Sequence, residues 1–298
     1  MITSSFIICT KDRPEDLQKC VESILEQTVL PQECIVVDAS ANSTENENNC
    51  KRIINKRIKF MHIKSEPSTT KQRNIGVDNS RGDIVFFLDD DVILDKEYHE
   101  KMLSVYRERS GDDVGGVRGT IGNEEALTQP KLFLRRFFML TRYSVNEESK
   151  FLPSGNYVYI PQPKEIIEVE CMPSGVCSYY KKVFNEFRFD ETLNGYALKE
   201  DMELSYRVSR KYKLYQTPYA ILYHYNSRTG RMSIEESAAL RIINSYYLFK
   251  KNMPRSFFNN LCFSWSLLGT IIIDFIRLLT HQDTENIRGS LKGIAKII

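Results

Sequence analysis

The run Arg81-Gly82-Asp83-Ile84-Val85-Phe86-Phe87-Leu88-Asp89-Asp90-Asp91 constrains this chain more than any other segment. An apolar, strand-like stretch from Ile84 to Leu88 stops at three consecutive carboxylates. Adjacent aspartates repel one another, so a fold that holds them together supplies a cation or a network of donors. Hard divalent cations such as Mg2+ take oxygen ligands, commonly one or two carboxylates together with substrate phosphates. A strand that delivers this group to the carboxyl edge of a sheet reads as a metal–nucleotide site. An acidic turn after a buried strand is the plainer alternative.

Other apolar runs, at 5–9, 33–37 and 58–63, share this continuous rather than alternating hydrophobicity, the mark of strands covered on both faces in a parallel sheet. Residues 14–27 begin with proline and acidic side chains and repeat Leu17, Cys20, Val21, Ile24 and Leu25 at helical spacing. Helices also fit 69–79 and 96–109. The βαβα order predicts an α/β fold, with ligands beyond the carboxyl ends of the strands. Further along come a glycine-rich strand at 114–121, a strand at 166–172, the turn Pro173-Ser174-Gly175 and a helix near 181–187. A helix at 199–212 and a strand at 219–223 ending on His224 follow. The polar tract 40–49 reads as a surface loop.

A chain of 298 residues can bury one substantial core, or a core plus an appendage. The net charge of +2 creates no field for nucleic acid, so no such partner is expected. Seven cysteines without a CxxC pair argue against a zinc site or disulfide framework and for reduced thiols in the cytoplasm. The opening residues enter a strand directly, which predicts no signal peptide.

After Arg231 the pattern is helical. Residues 234–251 form one helix, and 256–273 carry no charge, nearly the length of a bilayer span. Yet Phe258, Leu261, Trp265, Leu268, Ile272, Phe275, Ile276 and Leu279 share one helical face, opposite Asn259, Ser266, Thr270 and Arg277. That segregation suits a helix lying in a membrane interface or docking on a partner; packing against the protein's own core is the alternative.

Several motifs, in order, resemble glycosyltransferase family 2, the inverting sugar transferases. Phe6-Ile7-Ile8-Cys9-Thr10-Lys11-Asp12-Arg13-Pro14 is similar to its first strand and nucleotide-contacting loop, and Ile35-Val36-Val37-Asp38-Ala39-Ser40 to its second strand. Lys71-Gln72-Arg73-Asn74-Ile75-Gly76 resembles the segment before the metal-binding strand. Leu88 to Asp91 matches the aspartate motif called DXD, and Phe189-Asp190-Glu191 followed by Glu200-Asp201 resembles the acceptor-side signature. The resemblance covers about residues 3–225. It implies a GT-A fold, a Rossmann-like, mainly parallel sheet flanked by helices, here with a C-terminal helical extension. Residues 1–228 would form the catalytic domain, with a nucleotide-binding half at about 1–112 and an acceptor half at about 113–228. Residues 229–298 would form a helical tail that touches a membrane through about 256–279.

The implied activity is metal-dependent transfer of a sugar, with inversion, from a nucleotide-diphosphate donor (UDP-, GDP- or dTDP-linked) to a saccharide or lipid-linked saccharide. The cofactor would be Mn2+ or Mg2+, and the location the cytoplasmic inner face of a cell membrane. Thr10 and Arg13, on the first strand-to-helix turn, suit a diphosphate. Asp38 would read the base unless it only caps a helix, and Arg73 would brace the base or pyrophosphate unless it only forms an ion pair. Asp89 would face the ribose and Asp91 hold the cation, with Asp90 able to do either. His224 is a third metal ligand in some relatives, although a lone histidine is also commonly structural. Gly175 would let the backbone approach donor sugar or acceptor, or merely turn the chain. Inversion needs a carboxylate to take the acceptor hydroxyl's proton, and the resemblance assigns that base to Asp201 in the Glu200-Asp201 pair; a helix N-cap is the alternative. Two other classes remain open. A non-catalytic nucleotide-sugar-binding scaffold would need the donor motifs alone. A sugar nucleotidyltransferase usually carries a glycine-rich loop after its first strand, and Thr10 to Pro14 contains no glycine.

Overall fold

The computed structural model describes residues 2–54, 56–124, 129–140, 149–173, 175–225, 227 and 232–297. Along the chain run β1 (Ser4–Thr10), α1 (Pro14–Leu25), β2 (Glu33–Asp38), α2 (Ser43–Ile54), β3 (Lys59–Lys64), α3 (Thr69–Asn79), β4 (Ile84–Asp89) and β5 (Val92–Leu94). Then follow α4 (Tyr98–Glu108), β6 (Val114–Ile121), α5 (Gln129–Phe137), β7 (Lys150–Phe151), β8 (Tyr157–Val158), β9 (Ile167–Val169) and β10 (Cys177–Tyr180). A 3-10 turn (Lys181–Asn185) leads to α6 (Glu200–Ser209), β11 (Lys213–His224), α7 (Ile234–Asn252), α8 (Phe257–His281) and α9 (Thr284–Ala295).

The first of two compact units comprises residues 1–124 and 161–230. Its sheet runs β3-β2-β1-β4-β10-β6-β11-β5, with β9 pairing β11. The strands β3, β2, β1 and β4 are mutually parallel, β10 opposes its neighbours, and β6 and β11 are parallel again. The continuous apolar runs fill cores on both faces. Phe6, Ile8, Val36, Phe86 and Leu88 pack with α1 and α4 on one face. Ile7, Ile35, Val37, Val85 and Phe87 pack with Leu204 and Val208 of α6 on the other. On that second face α3 lies so close to β1 that a Cβ on Gly76 would stand 2.4 Å from Ile7 Cγ2.

The tract expected as a loop at 40–49 is largely helix α2. Ser43, Asn46, Cys50 and Ile54 face inward at spacings of three or four; two of those inward residues are polar, so the helical stripe has no apolar signature. The strand expected at 219–223 starts earlier, at Lys213, because its first half pairs with β6 and β9. The helix expected near 181–187 is the short 3-10 turn.

The second unit comprises residues 125–160 and 231–298. Residues 125–160, expected within the acceptor half, thus cluster with the C-terminal helices. Helix α7 opens with a capping box between Ser233 and Glu236, which satisfies end-of-helix N–H groups. Its Phe249 stacks on Phe263 of α8 at 4.5 Å. Gly289 and Gly293 of α9 lie against the α7 backbone. By length and composition α8 could cross a membrane.

Candidate active site

The carboxyl ends of β1, β2 and β4 stand side by side, with Cys9 registered on Asp89 and Thr10 on Asp38. Beyond β4 the chain turns through Asp90 and Asp91 into β5, which pairs antiparallel with the end of β11 and sets His224 opposite Val92. Residues far apart in sequence therefore meet at one point. The ligand atoms of Asp89, Asp91 and His224 all lie within 4.8 Å of one another.

The three aspartates differ sharply in surroundings. Asp90 turns inward: Thr10 Oγ1 donates to it at 2.7 Å and Arg13 at 3.0 Å, yet burial pushes its carboxyl up to about 6. Asp91 accepts the Ser227 N–H at 2.8 Å through Oδ2. Its Oδ1 lies 2.8 Å from His224 Nε2, is buried, and receives no well-aligned hydrogen bond. Burial resists ionisation of Asp91, but the His224 ring, the Ser227 N–H and Arg13 prevail and hold it below the usual carboxylate range. Asp89 meets Arg73 at 3.4 Å. Gly175, at φ +82, abuts Asp89 on another side, and a Cβ there would stand 2.5 Å from Asp89 Oδ2. Ser174, its neighbour in the expected turn, lies outside the described residues.

Asp38 is buried at the end of β2 and hydrogen-bonded throughout. Its Oδ1 accepts the Ser40 N–H at 2.7 Å, and Oδ2 takes Asn46 Nδ2 at 2.9 Å and faces His62 Nε2 at 3.1 Å. Burial opposes the charge, but these donors outweigh it and bring the carboxyl down to about 2.

Helix α3 works as a joint. Gln72 donates to the carbonyls of Thr10 and Val37, tying β1 to β2. Asn74 exchanges hydrogen bonds with the Phe189 backbone and donates to Glu191. Between them Arg73, buried and 5.3 Å from the Phe189 ring centroid, reaches Asp89 with one amino group and bonds Glu200 with the other. Glu200 opens α6; its own burial and the charge of Asp201 push its carboxyl up to about 8, against the pull of Arg73. Asp201 follows, half-buried, in the first turn. Asp89 and Asp201 also both act on the buried Cys177 thiol of β10.

The structure thus gathers Thr10, Arg13, Asp89, Asp90, Asp91, His224 and Gly175 at the β1–β4 rim and joins them through Arg73 to Glu200 and Asp201. Asp38 sits on the same rim in a separate network. Sequence reading missed Asn46, His62, Gln72 and Ser227. The first lay in the supposed loop, and nothing local distinguishes the other three; only the order of strands brings them to the site.

This sheet order, with an acidic rim beyond a parallel β4 and a carboxylate pair at the start of α6, defines a GT-A fold. The chain belongs to glycosyl transferase family 2, whose model matches residues 5–163. Poly(ribitol-phosphate) beta-N-acetylglucosaminyltransferase TarP of Staphylococcus aureus (strain N315) is 27% identical over 121 residues, 40% of this chain and 37% of that protein. The match therefore spans little more than a third of that relative's length. Among solved structures, S. aureus TarS 1-349 shares 14% identity and a TM-score of 0.59 over 98% of this chain and 79% of that one. GalNAc-T7, solved with UDP, GalNAc and Mn2+, gives 14% and 0.61 over 96% and 59%. At these identities the likeness to solved structures is one of fold.

A divalent cation fits the Asp89–Asp91–His224 group, which offers two carboxylates and an imidazole around the buried Asp91 Oδ1.

Proposed function

We propose that this chain transfers a sugar, with inversion, from a nucleotide-diphosphate donor to a hydroxyl of a saccharide or lipid-linked saccharide. The observation that carries this reading is the continuous link Asp89–Arg73–Glu200, which ties the acidic rim to the helix bearing Asp201. Asp89, Asp91 and His224 would hold the cation, and the imidazole favours Mn2+ over Mg2+. Bound there, the ion offsets the negative charge that grows on the departing diphosphate. Arg13, 3.0 Å from Asp90 and 3.6 Å from Asp91, adds a fixed cation on the same side. UDP comes first among UDP, GDP and dTDP, because two solved structures of this fold hold it.

Asp201 takes the proton of the acceptor hydroxyl as that oxygen attacks the anomeric carbon and the bond to the nucleoside diphosphate breaks. Glu200 is a positioning residue, buried and paired with Arg73, and Asp201, the less buried of the two, is the carboxylate that would meet an acceptor. Lipid-linked acceptors place the enzyme at the cytoplasmic face of a membrane, with peripheral contact through about 256–279.

Asp201→Asn is expected to abolish transfer while UDP still raises the melting temperature; near-normal turnover would reject Asp201 as base. Free nucleoside diphosphate as product excludes a nucleotidyltransferase, which releases pyrophosphate. Binding without any turnover would leave only a scaffold. A thermal-shift panel of UDP, GDP and dTDP, each with and without Mn2+, tests donor and metal together.

A further inference from the structure

In the second unit, α8 turns much of its apolar surface outward. Its inward residues are Cys262, Phe263, Ser266, Gly269 and Asp274, the last receiving Ser290 Oγ at 2.6 Å and lying 3.5 Å from Arg277. Its exposed residues include Phe257, Phe258, Leu261, Leu268, Phe275, Ile276 and Leu279, with Phe257 86% and Leu279 69% exposed, together with the polar Asn260, Ser264 and Thr280. Water favours apolar side chains turned inward. The apolar face runs about 33 Å along the helix at 1.5 Å per residue, well beyond the isolated exposed side chains of ordinary surfaces.

Helix α5 extends this face from a distant part of the chain. Trp265 Nε1–H donates to the Phe137 carbonyl at 2.8 Å, and its ring lies 5.3 Å from Phe137 and 5.0 Å from Phe138. Gly269 admits the Phe138 side chain so closely that no Cβ could fit between them. Docked in this way, α5 adds the exposed Phe133 and Phe137 to the strip. Lys131 and Arg136 are exposed cations of α5, and the exposed Lys250 and Arg255 precede α8 in the sequence. No Asp or Glu occurs in 129–140 or 250–273.

We propose that α5 and α8 form one composite surface that lies on a bilayer containing anionic lipids, with the aromatic strip in the acyl boundary and the cations among headgroups. The inference deepens the membrane contact proposed above and does not depend on the transfer chemistry. A second copy of this chain is the poorer occupant, because a two-fold contact would set the cations of this surface against one another. The packing of α8 on its inward side opposes crossing of the bilayer. There Phe263 meets Tyr246 and Phe249 of the charged helix α7, and Asp274 meets Ser290 of α9. An interfacial helix keeps that side in the headgroup layer.

Flotation of the full chain with vesicles tests this. Binding is expected to vesicles of phosphatidylcholine with about a third phosphatidylglycerol. It is expected to weaken at least tenfold on pure phosphatidylcholine or in high salt, since each surface cation is worth about fivefold. Lys131→Gln/Arg136→Gln should lose about twenty-five-fold by the same rule. Phe133→Ser/Phe258→Ser/Leu268→Ser, all at exposed positions, should abolish binding with unchanged melting temperature and unchanged donor turnover on a soluble acceptor. Equal binding to neutral vesicles would overturn the anionic assignment. Binding that survives the Phe133 and Phe258 changes would overturn the composite surface. Resistance to carbonate extraction would make α8 a span and overturn it too. Dimerisation in solution without vesicle binding would assign the face to a second copy.

Discussion

Asp38 ends β2 and Asp91 follows β4, the two buried parallel strands that flank β1, and the fold treats them in opposite ways. Asp38 receives the Ser40 N–H, Asn46 and His62, and its carboxyl falls to about 2. Asp91 receives one backbone N–H on Oδ2, while Oδ1 stays buried beside His224 and without an aligned donor. A carboxylate surrounded by its own donors is complete; one left short of donors among like charges is built to receive something. The first therefore organises the rim, and the second suits the cation proposed above.

The comparison breaks most decisively at Asp91. Asp91→Asn should lower turnover about a thousandfold, in line with removing a principal charge stabiliser. It should also erase the Mn2+-induced thermal shift without lowering the metal-free melting temperature. A retained Mn2+ shift would show that the cation sits elsewhere. Arg73→Lys comes next. Lysine cannot span Asp89 and Glu200 as the planar guanidinium does, so kcat should fall about 10–100-fold, the usual scale for groups that orient metal ligands. Donor KM should move far less; an effect confined to KM would make Arg73 a donor contact instead. Gly175→Ala is smaller still. The new methyl would press on Asp89 at a positive φ, and Mn2+ affinity should drop about tenfold, again an orienting effect, while UDP binding without metal stays unchanged.

Much of this rim was legible because a parallel sheet leaves a plain trace. Continuous apolar runs mark its strands, and the residues just after each run stand at its carboxyl edge, which is how Thr10, Asp38, Asp89 and Asp91 could be named together. His224 was legible for the same reason, as the residue ending an apolar run. The partners that decide what each aspartate does were not. Glu200 pairs with an arginine 127 positions away, and what separates Asp90 from Asp91 is its partners, Thr10 and Arg13 against Ser227 and His224. Asn46 hid because α2 presents Ser43 and Asn46 inward, where a search for apolar periodicity finds nothing. The grouping of 125–160 with the tail was equally hidden, since α5 and α8 meet through Trp265, Gly269 and Phe138, contacts that no local pattern encodes.

Asp38 sharpens the contrast through pH. Its folded value of about 2 lies below the roughly 3.9 of an unfolded aspartate, so the folded state binds its proton more weakly. The resulting stability is fully present above about pH 4 and is lost as pH falls through 2, amounting to about 2.6 kcal/mol by linkage. In Asp38→Asn this part of the acid dependence should disappear, leaving a less stable protein at pH 7 whose unfolding free energy changes less between pH 4.5 and 2. Because the Asp38 network contains none of the proposed metal ligands, the same variant should keep its Mn2+ shift. Loss of that shift, with the acid profile unaltered, would mean that Asp38 answers to the cation and that the two aspartates are one site rather than two.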